Sequence, residues 1–500
     1  MNTTSAAAGP LCLVLDQGGS SSRAMVFDSA GRVVSSAQQP VATLRPQPGH
    51  VEQDPAEVVL SLQATVSNAV SALTDHQRRQ LRVAGLVCQR SSLVAWEPDT
   101  GTTLTPIISW QDTRAARWLA AQALDNDQVQ RLTGLWPNAH FGASKMRWCL
   151  DYLPALQQSH SAVLAPLASY LAYALLREQP VRVDPANASR TLLMELASHQ
   201  WSPQLLSLFG IERQRLPDIV PSDSEFGTLV VDGLTLPLRL LNGDQSAAAF
   251  ADGNPQPDCV YINLGTGAFI YRPLPRPPAP ERQLCSVIYA SGEQALYAAE
   301  GTVNGAGSAL QWLTDNSQGA EQQDIDWALR LSPGDFSLQQ SGLPLFLNGV
   351  GGLGSPDWRA DFRSRFSGTG SGRQQALAVL ESIAFLLRRN FDRLCQYRSP
   401  PHRIIVSGGL SGCNLLCQLL ADLTGIEVAR VEEREASARG AAWLLLWGAS
   451  RKAEAADGEQ WQMAETESFQ PANATLPEQR YRQWSGLLQA ELDRHPQSGD

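Results

Sequence analysis

The stretch LCLVLDQGGSSSRAMVFD, Leu11 to Asp28, decides the fold. Two apolar runs flank a turn of glycines and serines, a pattern that predicts a buried β-hairpin. Glycine leaves no Cβ in the way of an incoming group, and successive backbone N–H groups in such a turn favour anions. The turn is therefore interpreted as a phosphate cradle, formed by Gly18, Gly19, Ser20, Ser21, Ser22 and Arg23.

Asp16 is the unexpected member of this stretch, because a carboxylate repels phosphate. A divalent cation between the two groups removes the conflict, since Mg²⁺ typically uses one or two carboxylates together with substrate phosphates and waters. Asp16 is thus predicted to anchor Mg²⁺. Taken alone, however, the stretch fits an ordinary hairpin with a Gly/Ser-rich tip equally well.

The same pattern returns half a chain later. CVYINLGTGAFIYR, residues 259–272, is again a strand, a turn of Gly265, Thr266 and Gly267, and a strand. IIVSGGLSGCN, Ile404 to Asn414, predicts a strand that enters a glycine turn and then a helix, whose N-terminus suits phosphate. Three such turns favour a single nucleotide cleft.

The rest of the chain predicts an α/β protein with two domains. Strands alternate with helical patterns such as PAEVVLSLQATVSNAVSAL, and 500 residues exceed one ordinary core. The two hairpins suggest similar domains over residues 1–243 and 244–500 that face one cleft. Polar residues 451–468 predict a solvated connector or an exposed helix, and LPEQRYRQWSGLLQAEL predicts an amphipathic C-terminal helix that docks back.

Composition narrows the class of protein. The net charge of -10 argues against a nucleic-acid partner. No apolar run is long enough to span a bilayer, and MNTTSAAAGP lacks the features of a secretory signal. Eight scattered cysteines predict reduced, mostly buried thiols. We expect a cytoplasmic protein without a membrane partner, and a homo-oligomer stays possible.

Asp244 is the candidate for acid–base chemistry. LRLLNGDQSAAAF ends an apolar run at this carboxylate and continues into a small-residue helix. A kinase that acts on a hydroxyl needs such an acceptor beside it. The competing interpretation is a helix N-cap. Arg90 and Trp110 can grip a polyol, although a surface arginine and a core tryptophan are equally open.

These segments, in this order, resemble the FGGY family of carbohydrate kinases, and within it the glycerol kinases, from about Leu11 to about Ala449. The resemblance is carried by LDQGGSSSRAMVFD, WQDTR, DPANASRTLL, GDQSAA, NLGTGAF, EGTVNGAGSALQWL and VSGGLSGCN. It implies two actin-like domains of the ribonuclease H type that close over ATP, Mg²⁺ and a sugar or polyol.

The resemblance also implies roles by position. Asp244 would be the general base, and Asp16 would lie near the metal, the two approaching the triphosphate from separate lobes. The nucleotide would contact the first turn together with Gly265, Thr266, Gly267, Gly307, Gln311, Gly408, Gly409 and Asn414. The acceptor would contact Arg90, Ser91, Trp110, His140, Asp244, Gln245 and Phe269.

Some positions depart from the glycerol kinase pattern. Those kinases have an acid where Ser91 stands and a tyrosine where His140 stands, while Gly19 replaces a threonine. A lost carboxylate removes a charge-assisted hydrogen bond worth about 1.5–3 kcal/mol. The expected function is therefore ATP-dependent phosphorylation of a small polyol or sugar. Glycerol kinase proper and a non-catalytic nucleotide-binding relative are the alternatives.

Overall fold

The computed structural model describes residues 9–278, 283–292, 294–316, 320–339, 342–431, 435–448, 460–472 and 475–494. In the first half the strands are β1 (Leu11–Gln17), β2 (Ser21–Phe27), β3 (Val33–Pro40), β4 (Glu52–Gln53), β5 (Leu81–Cys88), β6 (Leu93–Trp96), β7 (Ile107–Ile108), β8 (Val163–Pro166), β9 (Arg182–Val183), β10 (Met194–Glu195), β11 (Gln200–Trp201), β12 (Asp218–Ile219), β13 (Gly227–Val231) and β14 (Leu234–Gly243). In the second half they are β15 (Cys259–Leu264), β16 (Ala268–Leu274), β17 (Leu284–Ala290), β18 (Ala295–Val303), β19 (Leu345–Leu347), β20 (Arg365–Ser367), β21 (Arg403–Ser407), β22 (Glu427–Val431) and β23 (Thr466–Phe469).

The helices are α1 (Pro55–Ser71), α2 (Asp75–Gln80), α3 (Ala116–Ala120), α4 (Asn126–Thr133), α5 (Gly142–Tyr152), α6 (Pro154–Gln158), α7 (Leu167–Leu175), α8 (Pro185–Ala188), α9 (Pro203–Phe209), α10 (Asp244–Ala248), α11 (Gly307–Asn316), α12 (Gln322–Arg330), α13 (Pro333–Gln339), α14 (Gly372–Leu394), α15 (Asn414–Thr424), α16 (Ala436–Trp447) and α17 (Thr475–Arg494). Short 3₁₀ turns cover Ser189–Thr191, Arg213–Arg215 and Gly409–Gly412.

Two large sheets share one topology. The first has the order β13-β14-β5-β1-β2-β3, and the second has the order β17-β18-β16-β15-β21-β22-β23. In each sheet a hairpin, β1–β2 or β15–β16, continues through parallel neighbours, β5 and β14 or β21 and β22. The predicted internal repeat and the α/β class are therefore confirmed, and the five shared strands form the ribonuclease H-type arrangement. We call the parts built on the two sheets the first and second lobes.

Three predicted helices form where the sequence patterns place them. Helix α1 begins with Pro55, and the Asp54 side chain accepts a hydrogen bond from the Ala56 N–H at 2.8 Å, which caps its start. Helix α14 has 23 residues and runs through the core of the second lobe. The C-terminal helix α17 docks through Trp484, which is fully buried and donates its indole N–H to the Phe346 carbonyl.

The predicted connector is only partly described. Residues 451–459 of it lie outside the described residues. Residues 466–469 are not helical: they form β23, which pairs antiparallel with β22 at the edge of the second sheet. The helix alternative for this segment is therefore wrong there, because the exposed edge of β22 offers unpaired backbone groups that a following strand can satisfy.

Helices α10 and α16 pack together on the first sheet. They enclose one core cluster with β1, β5 and β14, through alanines and leucines of α16 and Ala247 of α10. Helix α16 follows β22 of the second lobe in the chain, so the chain returns to cover the first lobe. The division expected between residues 243 and 244 stays a prediction.

Gly440 lets these two helices touch. A Cβ added to Gly440 would lie 1.9 Å from the backbone oxygen of Ala247. We expect Gly440→Ala to lower the free energy of unfolding by about 1–3 kcal/mol, because the backbones must separate to admit the methyl group. Urea denaturation followed by circular dichroism measures this change. A variant as stable as the parent would contradict the close approach.

Among the described residues no helix is long and apolar enough to cross a membrane. No cysteine forms a disulfide bond within the part of the chain that the structure describes, and Cys395 is the only one of the eight that is not buried. Most of the thiols are therefore buried, as predicted.

Candidate functional site

Asp16 and Asp244 meet at one edge of the first sheet. Strands β1, β5 and β14 run parallel, with Asp16 level with Val87 and Val87 level with Asn242. Burial and, next, the negative charge of Asp244 together raise the pKa of Asp16 to about 7. The two aspartates thus share one crevice, but the expectation that they come from separate lobes is wrong. Asp16 lies near the end of β1 and Asp244 directly follows β14, and both strands belong to the first sheet.

Asp244 is the first residue of α10 and not its N-cap. Gly243 occupies the cap position, and the Asp244 carboxylate accepts one hydrogen bond, from the Gln245 N–H at 2.7 Å. Burial raises the pKa of Asp244 above its usual value, although the cations Arg90 and Arg190 oppose the shift. The cap interpretation therefore fails, and the carboxylate is a stronger base than an exposed aspartate.

The turn after β1 is held in place by hydrogen bonds to the surrounding protein. The Gly18 N–H donates to the Ser21 carbonyl at 3.0 Å, and the Gly19 carbonyl accepts from the side chains of Thr43 and Gln53, each at 3.1 Å. Gly19 and Ser20 are exposed. The tip is therefore anchored through a carbonyl while its surface faces solvent, as a binding turn requires.

One predicted member of this turn, Ser22, does not face the cleft. Ser22 is fully buried, and its hydroxyl donates to the Gln17 side chain at 2.6 Å, so it cannot reach a nucleotide. Its side chain lies on the opposite face of β2 from Arg23, because side chains alternate along a strand. Arg23 donates to Glu435 at 2.8 Å and lies 3.7 Å from Asp16. Glu435, just before α16, was not predicted.

The two turns of the second lobe lie at one end of its sheet. Strands β15 and β21 are parallel, with Asn263 level with Ser407, so Gly265 and Gly408 follow side by side. The start of α11 docks on the first of these turns, where the Gly307 N–H donates to the Gly265 carbonyl at 3.0 Å. The remaining predicted nucleotide residues around these turns are exposed or half-buried, namely Thr266, Gly267, Gln311, Gly409 and Asn414.

The side chains of Gln311 and Asn414 are held by hydrogen bonds to neighbouring polar residues. The Gln311 amide donates to Thr314 and Asp315, each at 3.1 Å. Asn414 begins α15, and its side-chain oxygen accepts from Arg430 at 2.7 Å. The third turn therefore leads through a 3₁₀ turn into a helix, as predicted.

Three of the predicted acceptor residues, Arg90, Gln245 and Phe269, line a cavity between the lobes, whereas Ser91, Trp110, His140 and Asp244 are not part of its lining. Arg90 is buried and donates to Gln245 and, at 3.3 Å, to Ser246. Arg90, Gln245 and Phe269 line a cavity of about 370 Å³ that both lobes enclose. The surface interpretation of Arg90 is therefore wrong.

Trp110 and His140 form an adjoining wall. Their ring centroids lie 5.6 Å apart, and both side chains are half-buried. A Cβ on Gly19 would lie 4.0 Å from the indole nitrogen of Trp110, so this wall reaches the first turn. Burial lowers the pKa of His140 well below its usual value, and the cations Arg190 and Lys145 lower it further. His140 is thus a neutral ring.

Ser91 has a strained backbone and an unused hydroxyl. Its φ is 62°, a conformation rare for a residue other than glycine. Lys145 is buried and donates to the carbonyl oxygens of Ser91 and Ser109 at 3.0 and 2.9 Å. Within the described structure the buried Ser91 Oγ has no hydrogen-bond partner.

Three charged residues that the sequence analysis missed lie beside this set. Glu300 in β18 lies 3.5 Å from Arg90, and Arg190 donates to Glu300 at 3.0 Å. Lys145 supports Ser91, and burial lowers its pKa to about 7. A signal for Glu300 existed, since it is the single charge in the alanine-rich strand ALYAAEGTV.

The raised pKa of Asp16 makes a test of its environment possible. Without metal or nucleotide, the folded carboxyl keeps its proton up to about pH 7, whereas the unfolded one ionises near 3.8. Stability therefore falls between these pH values and stays lower above them. Asp16→Asn should stabilise the protein by about 1–3 kcal/mol at pH 8 and hardly at all at pH 4. Urea denaturation in EDTA measures the free energy of unfolding at each pH. An equal gain in stability at pH 4 and pH 8 would contradict the raised pKa of Asp16.

This geometry defines a two-lobed α/β protein of the actin and hexokinase type. The first lobe carries a glycine turn and two neighbouring carboxylates, and the second lobe carries two further glycine turns side by side. Residues 11–250 match the N-terminal domain and residues 260–449 the C-terminal domain of the FGGY family of carbohydrate kinases. The chain belongs to this family, whose members are ATP-dependent phosphotransferases that act on alcohol groups.

Curated relatives are similar over most of their length. The chain is 35% identical to a protein named glycerol kinase from Albidiferax ferrireducens over 452 residues, which cover 86% of this chain and 89% of that relative. It is also 35% identical to a glycerol kinase from Gloeobacter violaceus over 473 residues, covering 89% of this chain and 90% of that relative.

Solved structures share the fold. The crystal structure of Plasmodium falciparum glycerol kinase with ADP superposes with a TM-score of 0.85 at 22% identity, covering 97% of this chain and 99% of that one. The xylulose kinase from Rhodospirillum rubrum superposes with a TM-score of 0.82 at 23% identity, covering 97% and 99%. The predicted fold and family are confirmed.

Proposed function

We propose that this kinase transfers the γ-phosphoryl group of ATP to a hydroxyl of a small polyol or sugar, with Asp244 as the general base. The observation that carries the proposal is the position of Asp244. Its half-buried carboxylate, with a raised pKa, lies beside Asp16 and within the field of Arg90.

In this mechanism Asp244 takes the proton of the acceptor hydroxyl as its oxygen forms a bond to the γ-phosphorus. The bond from that phosphorus to the bridging oxygen of ADP breaks, and ADP leaves with the electron pair. Most of the rate comes from alignment and charge neutralisation, so a carboxylate of moderate basicity is sufficient. Arg90 and Gln245 would orient the hydroxyl from the adjoining cavity.

The donor set fits a magnesium ion. The negative charge of Asp244 raises the pKa of Asp16, and a bound cation relieves such repulsion. Asp16 would hold Mg²⁺, which neutralises phosphate charge when bound. We further propose that ATP lies between the turn Gly18–Ser21 and the second-lobe residues Gly265, Thr266, Gly307, Gly409 and Asn414. Gly267, Gln311 and Gly408 would border it.

The acceptor is the open part of the proposal. Ser91 and His140 replace an acid and a tyrosine of the glycerol kinase pattern, and the unpartnered Ser91 hydroxyl can bind a hydroxyl of the substrate. We propose an acceptor longer than glycerol, such as a four- or five-carbon polyol or ketose.

A panel of acceptors tests this assignment. Initial rates of ADP release are measured with ATP, Mg²⁺ and glycerol, erythritol, xylulose or ribulose, and Asp244→Asn serves as the inactive control. Saturable turnover of a longer acceptor, at a kcat/KM well above that for glycerol, is the expected result. The names of the curated relatives favour glycerol itself as a second candidate, and a preference for glycerol would establish it.

A further inference from the structure

Glu300 brings a carboxylate of the second lobe to two arginines of the first lobe. Its Oε1 lies 3.5 Å from Nη1 of Arg90, and its Oε2 accepts a hydrogen bond from Nη1 of Arg190 at 3.0 Å. Glu300 is only 6% exposed, so water screens these contacts little. The two arginines belong to separate segments of the first lobe, and both form ion pairs with this carboxylate.

The charges of this cluster depend on Glu300. Burial and, next, the positive charge of Arg90 lower the pKa of Arg190 to about 10, because the two guanidinium groups repel each other. Burial raises the pKa of Glu300, but Arg190 and Arg90 outweigh this effect and hold it below its usual value. Glu300 therefore stays ionised and offsets the repulsion.

Arg190 is held on its other sides by the protein. Its guanidinium lies over the ring of Phe141 at 5.0 Å and donates to the Ser286 hydroxyl at 2.8 Å. Ser286 belongs to β17, which pairs with the strand that carries Glu300. Arg190 thus fixes one end of the cluster, and Arg90 is the member that reaches the pocket.

Arg90 is aimed into the pocket by a small number of contacts. Its stem crosses Gly243, and its guanidinium donates to Gln245 and Ser246 at the start of α10. Arg90, Gln245 and Glu300 line the same enclosed cavity. Among the described residues, Glu300 is the acidic side chain that forms an ion pair with the Arg90 guanidinium.

We propose that Glu300 is a positioning residue, which holds the Arg90 guanidinium in the orientation that binds the acceptor hydroxyls. The acceptor pocket is then assembled from both lobes. This inference rests on the proposed function, because it assigns the acceptor to the cavity beside Arg90. It extends that function by a residue of the second lobe that acts through Arg90 and not on the nucleotide.

Glu300→Gln keeps the size of the side chain and removes its charge. We expect KM for the best acceptor of the panel to rise by about 30-fold or more, because the two guanidinium groups then separate. KM for ATP should change by less than about 2-fold, since the nucleotide turns lie elsewhere. Glu300→Asp keeps the charge at a shorter reach, so it should recover part of the acceptor affinity.

Glu381→Gln is the matched control. Glu381 is also a buried glutamate of the second lobe, 1% exposed and bonded to Arg480 at 2.7 Å, but it lies away from the cleft. This variant should lose stability while both KM values remain those of the parent. An equal rise of the acceptor KM in both glutamine variants would show a structural effect and overturn the proposal.

A crystal structure of Glu300→Gln separates this proposal from the proposed function. We expect the Arg90 guanidinium to leave Gln245 and Ser246. An unmoved Arg90 overturns the positioning role even if the parent turns over none of the acceptors. An unchanged acceptor KM overturns it while the kinase activity stands. If Glu300→Gln does not fold, Glu300→Asp provides the same two measurements, with a smaller rise in KM expected.

Discussion

Asp244→Asn is expected to lower kcat by about two to four orders of magnitude. The amide has the shape of the carboxylate but cannot take the proton of the acceptor hydroxyl. Because the hydrogen bond from the Gln245 N–H to the side-chain oxygen can be kept, the start of α10 should remain in place. KM for ATP and for the acceptor should therefore change only a few-fold. Steady-state ADP release measures kcat and both KM values, and single-turnover phosphorylation measures the rate of the chemical step by itself.

Asp75→Asn is the matched control for this variant. Asp75 is also the first residue of a helix, α2, but it is exposed. Helix α2 leads into the start of β5, whereas the cleft lies at the other end of that strand. Its replacement removes the same charge from a helix N-terminus and should leave kcat unchanged. Full activity of Asp244→Asn would show that another group accepts the proton.

Gly243→Ala should lower kcat/KM for the acceptor by about 100-fold. A Cβ at this position would lie 2.4 Å from Cγ and 2.5 Å from Cδ of Arg90, so the buried stem of the arginine has to move. A displacement of about 1 Å in a positioning group can cost this factor. The backbone itself tolerates alanine, because Gly243 has a φ of -79°. The loss should appear mainly in KM for the acceptor.

Gly486→Ala controls for the glycine replacement itself. Gly486 lies in α17, and no atom lies within 4 Å of a Cβ added there. This variant should keep the kinetic constants of the parent and gain slight stability from helix propensity. A Gly243→Ala variant with the acceptor KM of the parent would mean that Arg90 does not contact the acceptor.

The local elements could be predicted because their patterns are local. The hairpin tips, the proline at the start of α1 and the amphipathic α17 each follow from residues within about 20 positions of one another. The internal repeat followed from two copies of one pattern, and the two sheets bear it out. The aspartates 16 and 244 were found because each ends an apolar run at a polar turn.

The failures concern which parts of the chain pack together. Asp244 was assigned to a lobe other than that of Asp16, because sequence order does not show that β14 joins the first sheet. Ser22 was included with its neighbours, although the alternation of side chains directs it into the core. Glu300 was missed, because a lone acid in a strand has no visible partner until the other lobe is placed beside it.

The sequence by itself determined the two-lobed α/β class, the glycine turns and the two carboxylates at the cleft. These features depend on hydrophobic periodicity, turn-forming residues and the positions of charges, all of which can be recognised among residues that are close together in the sequence. Only the tertiary structure decided that α16 returns to the first sheet and that Glu300 reaches Arg90 and Arg190. Such contacts join residues about 100 or more positions apart, and burial of apolar faces, which is not directional, selects them.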